Sequence, residues 1–223
     1  ARFGWYREEI CEADNQDLGG RSKKVTVMTE VMKPLGSLRF VRRNLRKWSK
    51  PEKRTPFRLI NILGAKAAVH YQPKGVVGIM TPWNVPVNMI FSPLADVLGA
   101  GNRAMIKPSE FTPHTAEIMH TLFAQYFEES EITVITGGPE VGAACSSRLL
   151  DHLIFPGATS SGRLVLLAAA ANMVPLTLEL GVKSPVTLGE NRDIHGVPDR
   201  TITRKQIKRG QLGITPAVPA APR

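Results

Sequence analysis

From residue 75 onward the chain alternates between short apolar runs and longer segments whose apolar residues recur at helical spacing. The runs are GVVGIM (75–80), RAMI (103–106), EITVIT (131–136), HLIF (152–155) and PLTLEL (175–180). Each has the length and character of a strand buried on both faces of a sheet. Between them, VPVNMIFSPLADVLGAG, the stretch from Pro113 to about residue 127, the segment opened by GGPEVGAACS, and residues 162–172 carry helical patterns. Thr112 reads as an N-cap with Pro113 as the first helical residue, and Pro93 is expected to kink or interrupt its helix. Strands alternating with helices predict an α/β fold built on a doubly wound parallel sheet. Upstream, residues 1–60 read as a mostly helical region with polar faces, and 61–73 as a short strand region entering the core. Beyond Ser184 the periodicity fades into a Pro/Ala-rich end, ITPAVPAAPR, whose composition predicts disorder. The expected organisation is an N-terminal helical region (1–60), an α/β domain (61–186) and a divergent tail (187–223).

Composition sharpens this only in part. Apolar residues make up 43% of 223, enough for a real core. No apolar run approaches the roughly 20 residues of a membrane span, and ARFGWYREEI has no signal-peptide character. The absence of an initiating Met suggests an incomplete start. Cys11 and Cys145 are the only cysteines, too few for a disulfide framework or a metal cluster, so a reducing cytoplasm is the simplest setting. The net charge of +10 is concentrated: residues 38–58 hold nine Lys or Arg against the single acid Glu52. In LRFVRRNLRKW, Leu38, Val41, Leu45 and Trp48 form the apolar stripe of an amphipathic helix with a basic outer face. That face reads as a solvated surface or, alternatively, a nucleic-acid patch. It lacks a stacking platform and a base-reading motif, so neither nucleic acid nor membrane is the expected partner.

In a doubly wound sheet ligands gather at the carboxyl ends of the strands. After the first run comes TPWNVP, where the Asn84 amide could donate to a developing oxyanion or simply stabilise its own turn. After the second comes KPSE, where Lys107 and Glu110 could grip sugar hydroxyls or form a surface ion pair. The third is followed by Gly137, Gly138 and Pro139, which permit close backbone approach at a helix start. The fourth opens into FPGATSSG, a small-residue helix start suited to phosphate. No GxGxxG fingerprint is present. The fifth carries Glu179 in LELGVKSP. Flanked by leucines on a strand expected to be buried, this carboxylate is costly unless it is paired, for example with Lys183, or raised in pKa as a general base.

In order and spacing, PWNVP, KPSE, GGPEVG, F-x-G-x-T and LELG-x-KSP together resemble the aldehyde dehydrogenase superfamily. VHYQPKGVVGI, GNRAMIKPSEFTP, VITGGPEVGAA and the basic helix before residue 60 make the likeness nearest to coniferyl-aldehyde dehydrogenases. The resemblance implies a Rossmann-like NAD-binding domain and NAD(P)-dependent oxidation of an aldehyde to a carboxylic acid. In that reaction a cysteine thiolate attacks the aldehyde, a hydride passes to the nicotinamide, and a glutamate-activated water hydrolyses the thioester. By motif, Asn84 matches the oxyanion-hole amide and Glu179 the water-activating glutamate. Lys107 and Glu110 match the residues holding the adenosine ribose, Gly138 and Pro139 the loop beside the adenine, and Gly157 the pyrophosphate turn. Trp83 belongs to the motif that shapes the loop near the nicotinamide. A carboxylate at the ribose favours NAD over NADP.

The sequence also departs from the family's pattern. Pro156 and Ala158 replace a threonine and a phosphate-contacting serine, which is expected to weaken cofactor binding. Val182 replaces the second glycine of LELGGK, which is expected to strain the segment. The nucleophile's position, 34 residues beyond Glu179, is Gly213 in RGQLGITP. Cys145 reads as a small packing residue and Cys11 as part of the N-terminal helix. The likeness reads as ending near residue 186, with a frame change as one explanation. The expected chain is therefore an inactive fragment without its catalytic domain or the strand through which the family forms homo-oligomers. The alternatives are an NAD-binding module without catalysis and a basic-helix nucleic-acid binder.

Overall fold

The structure, a computed structural model, describes residues 2–182, 184–187, 197–206, 211 and 216–220. After a short 3-10 turn (Arg2–Tyr6) come helices α1 (Arg7–Leu18) and α2 (Lys23–Thr26). A π-helical segment (Val27–Met32) then runs directly into α3 (Lys33–Trp48). An exposed ribbon pairs β1 (Glu52–Arg54) antiparallel with β2 (Ala67–Val69) around the short helix α4 (Arg58–Ile62). Then follow β3 (Val76–Met80), α5 (Pro86–Gly99), β4 (Arg103–Lys107), α6 (Pro113–Tyr126), β5 (Ile132–Val134) and α7 (Pro139–Ser146). The alternation closes with β6 (His152–Gly157), α8 (Thr159–Ala170) and β7 (Leu176–Leu180).

Strands β3 to β7 form one parallel sheet in the order β5-β4-β3-β6-β7. This is the doubly wound α/β architecture the alternation predicts. The order reverses between β3 and β6, which is where such sheets bind ligands. Val77, Ile79, Ala104, Ile106 and Leu153 are nearly inaccessible in the central strands, because helices cover both faces.

Helix α5 runs unbroken through Pro93, contrary to the expected interruption. An internal proline costs about 3 kcal/mol. Here Ile90, Phe91, Leu94, Ala95 and Val97 are buried on both sides of it, and each of the large ones contributes about 1.5–3 kcal/mol, so burial wins. Residues 61–73 were expected to enter the core, but they lie on the surface: Ile62 and Leu63 are 76% and 84% exposed, and β2 is exposed throughout. The stripe on α3 is only half used. Val41 is buried and Leu38 packs against the core, while Leu45 and Trp48 stay exposed toward the end of α3.

The tail departs from the expected disorder. Its described parts form β8 (Ser184–Thr187), α9 (Val197–Gln206) and β9 (Pro216–Ala220), with β8 and β9 paired in parallel. Composition misleads here because the pairing joins segments about thirty residues apart, which local periodicity does not register.

The N-terminal helices are part of the sheet domain's support. Thr112 makes no side-chain cap on α6; its hydroxyl instead donates to the Ser109 carbonyl. The cap comes from Asp17 of α1, whose fully buried carboxylate accepts from the His114 and Thr115 amides at 3.1 and 2.8 Å and from the Thr115 hydroxyl at 2.7 Å. Glu30 does the same for α5, accepting from the Asn88 amide at 2.9 Å. Replacing a capping carboxylate by alanine costs about 1–2 kcal/mol. Asp17→Ala is therefore expected to lower the urea unfolding free energy by about that much; an unchanged midpoint would show that the cap contributes nothing.

Candidate functional site

Because the five strands are parallel, their carboxyl ends share one edge of the sheet, and the predicted residues meet there. Thr81 follows β3 and donates its amide to the Lys107 carbonyl at 3.0 Å, which locks the ends of β3 and β4 together. Its side chain is buried, and its hydroxyl has no hydrogen-bond partner among the described residues. Two residues on, Trp83 is 39% exposed and lines an open cleft with Asp17, Leu18, Phe111 and Gln211. Asn84 is held at both ends: its carbonyl accepts from Arg21 at 3.1 Å, and its side-chain amide donates to the Gln211 carbonyl at 2.5 Å. The second contact brings Gln211 to Asn84 across 127 positions of sequence. Gly213 and Lys183 themselves lie outside the described residues.

At the end of β4, Lys107 is buried and its ammonium donates to the Glu110 carboxylate at 2.6 Å. Burial pushes the Glu110 carboxyl up, but the Lys107 hydrogen bond, a backbone hydrogen bond and the Lys107 charge together hold it below its usual value. The Lys107 stem passes close to Gly142 of α7. That helix starts at Pro139, with Gly138 as N-cap, and the Gly138 amide donates to the Glu140 carboxylate at 3.1 Å. Gly137 before it has φ +148°, a left-handed conformation that disfavours any side chain.

On the other side of the switch point, Gly157 ends β6 and Ala158 precedes α8 without a side-chain cap. Helix α8 packs tightly on β7: a Cβ at Gly162 would lie 2.7 Å from Leu180 Cδ2. The register sets Glu179 opposite Pro156 and Leu180 opposite Gly157. Glu179 is therefore beside the predicted pyrophosphate turn, but it is not buried as expected. β7 is the edge strand, and its pleat turns Leu178 and Leu180 toward α8, leaving Thr177 and Glu179 exposed. Strain at Val182 is also absent: the residue is 70% exposed, and Met173 is the one non-glycine with positive φ among the described residues.

Both thiols are buried, Cys11 at 1% and Cys145 at 5% exposure. Desolvation pushes each above its usual value, most simply because a thiolate there would lose its water. Cys145 thus behaves as the packing residue its motif suggests. Sequence reading missed Asp17, Arg21, Glu30, Thr81 and Gln211. The first three sit in EADNQDLGGRS and its continuation, a polar run that looks like solvated surface. Only their distance-independent pairing with helix starts, and in the case of Arg21 with a loop carbonyl, marks them out.

Residues 5–218 match the model of the aldehyde dehydrogenase family. The chain belongs to the aldehyde dehydrogenase family. It is 50% identical over 218 residues to the "probable coniferyl aldehyde dehydrogenase" of Caulobacter vibrioides, covering 97% of this chain and 45% of that protein. It is 43% identical to the coniferyl aldehyde dehydrogenase of a Pseudomonas species, covering 94% and 43%. Among solved structures, the substrate-bound state of Staphylococcus aureus AldH superposes with a TM-score of 0.92 at 33% identity, covering 98% of this chain and 47% of that one. The Mycobacterium tuberculosis aldehyde dehydrogenase complexed with NAD+ gives a TM-score of 0.87 at 27% identity, covering 99% and 44%. The chain thus spans a little under half the length of these aldehyde dehydrogenases. The family match continues to residue 218, beyond the end near residue 186 expected from the motifs.

Two measurements test this description. A carboxylate held below its usual value stabilises the fold above the unfolded value of about 4.5 and stops doing so as pH falls through the lowered folded value. Glu110→Gln is expected to flatten the decline of stability below about pH 4.5; a decline unchanged from that of the parent chain would refute the pairing. Buried, un-ionised thiols react slowly, so iodoacetamide at neutral pH should label neither cysteine in the native chain and both in urea.

Proposed function

We propose that this chain is the NAD-binding portion of a coniferyl-aldehyde-type dehydrogenase, and that it takes up NAD in preference to NADP. The observation that carries the reading is the Lys107–Glu110 pair at the end of β4, its ammonium buried, with the Thr81 hydroxyl, which has no partner among the described residues, at the neighbouring end of β3. A cation, a carboxylate and an unused hydroxyl converging on one sheet edge are the donor and acceptor set that a ribose diol requires. The carboxylate disfavours a 2′-phosphate by like-charge repulsion. Glycines at 137, 138 and 157 carry no side chain to keep a ligand from the backbone at these strand ends, so the residues present fit a dinucleotide. Lys107 and Glu110 would hold its adenosine ribose, Gly138 and Pro139 would border its adenine, and Gly157 would lie at its pyrophosphate. Bound NAD would supply the hydride acceptor for aldehyde oxidation.

The catalytic groups this chain contributes are Asn84 and Glu179. The Asn84 amide, now donating to the Gln211 carbonyl, is the donor that an oxyanion would take over. Glu179, exposed to solvent on the edge strand, would serve as the general base. The nucleophile's motif position holds Gly213, which has no side chain to attack a carbonyl. By itself the chain is therefore a binding module and not an oxidase. The name of the Caulobacter relative and the shared motifs support coniferyl aldehyde as the substrate of the corresponding whole enzyme.

Isothermal titration is expected to show saturable NAD binding, with NADP at least about tenfold weaker, a difference of about 1.4 kcal/mol. Lys107→Met should weaken NAD binding to a similar degree or more. Absence of NAD binding would refute the reading. Mixing the chain with NAD and coniferyl aldehyde should yield no NADH; turnover that Cys145→Ala abolishes would overturn the assignment of the nucleophile's position to Gly213.

A further inference from the structure

A buried cluster of charged groups lies outside the sheet's ligand edge, around the turn between α1 and α2. The Arg21 side chain is 7% exposed and the carboxylates of Asp14 and Glu30 are fully buried. Nη1 of Arg21 donates to both Asp14 oxygens, at 3.1 and 3.3 Å, and lies 3.7 Å from a Glu30 oxygen. Nη2 turns the other way and donates to the Asn84 carbonyl at 3.1 Å. Each carboxylate is itself fixed. Asp14 accepts from the Thr26 hydroxyl at 2.5 Å. Glu30 accepts from the Thr29 hydroxyl at 3.2 Å and from the Asn88 amide at 2.9 Å.

These contacts clamp the Asn84 loop at two points. Arg21 holds its carbonyl, and four residues later Glu30 holds the first turn of α5. The peptide plane following Asn84 cannot rotate without breaking the guanidinium contact, and that plane sets the direction in which Cα–Cβ, and hence the amide, points. A buried charge is expensive unless every arm is used, and a planar guanidinium can serve a carboxylate with one arm and a carbonyl with the other. A lysine ammonium, a single point charge, can satisfy Asp14 but not both at this spacing.

We propose that Arg21 is a positioning residue that aims the Asn84 side-chain amide. Its relevance to oxyanion stabilisation rests on the role proposed above for Asn84, but the aiming itself is tested independently of cofactor or turnover.

The test uses the full chain labelled with 15N-asparagine. The Asn84 amide pair is assigned by its loss in Asn84→Asp. In Arg21→Lys the pair is expected to shift and its hydrogen exchange to accelerate by about tenfold or more. The Asn172 amide, which donates to the Ser147 carbonyl at 2.7 Å elsewhere in the domain, should stay unchanged as the internal reference. Asp14→Asn weakens the ion pair while leaving Nη2 on Asn84, so it should lower stability without moving the Asn84 signal. An Asn84 pair unmoved in folded Arg21→Lys overturns the proposal. So does one that moves as far in Asp14→Asn, because the signal would then merely follow stability. Should Arg21→Lys not fold, Asp14→Asn decides alone: an unmoved Asn84 signal in a destabilised protein supports the proposal, and a displaced one overturns it.

Discussion

A helix that begins where a buried strand ends exposes backbone N–H groups with no intrahelical acceptor, and a doubly wound sheet creates one such start after almost every strand. How this chain disposes of those donors organises the rest of it. Helices α5 and α6 receive carboxylates from far upstream, Glu30 and Asp17. Helix α7 uses its own Glu140, which reaches back to the Gly138 amide. Helix α8 has neither an acidic residue in its first turn nor a side-chain cap. The two helices flanking the central strands are thus closed by protein, and the start that follows β6, beside Gly157 and the switch in strand order, is left without such a cap.

The N-terminal region, an appendage by its sequence, is in this sense a set of acceptors delivered to the sheet. That arrangement brings its own problem, since Asp14 and Glu30 are completely buried negative charges. Arg21 compensates them, and two threonine hydroxyls and a helix amide occupy further lone pairs. Removing one partner from such a buried group typically costs about 3–5 kcal/mol. The same bonds that make the burial tolerable therefore make the geometry of the Asn84 loop stiff.

The sheet was legible in the sequence because buried parallel strands leave unmistakable apolar runs. All five appear, with ends shifted by no more than two or three residues. The strand-end residues Asn84, Lys107, Glu110, Gly138 and Gly157 were legible because an edge of parallel strands gathers whatever follows each run. What was not legible depends on partners remote in sequence. A carboxylate such as Asp17 looks like surface until α6 arrives 97 positions later. Glu179 looked buried because leucines flank it, but strand order, which puts β7 at the edge, is invisible to a local pattern. Pro93 looked like a break because local rules do not weigh the core on both sides of it.

Ordered by synthesis, the acceptors emerge first and wait. Asp17, Arg21 and Glu30 leave the ribosome well before the helices and loop they serve, separated from them by 58 to 98 positions. Closing contacts of that span is an entropic toll taken late in folding. Until then an ion cluster meant for the interior is hydrated and harmless. The N-terminus of the chain therefore behaves as a template laid down in advance. A proteolytic nick or a downstream start that removed its first thirty residues would leave the sheet's apolar runs intact. It would, however, leave two helix starts without their capping carboxylates and the Asn84 loop without its guanidinium contact.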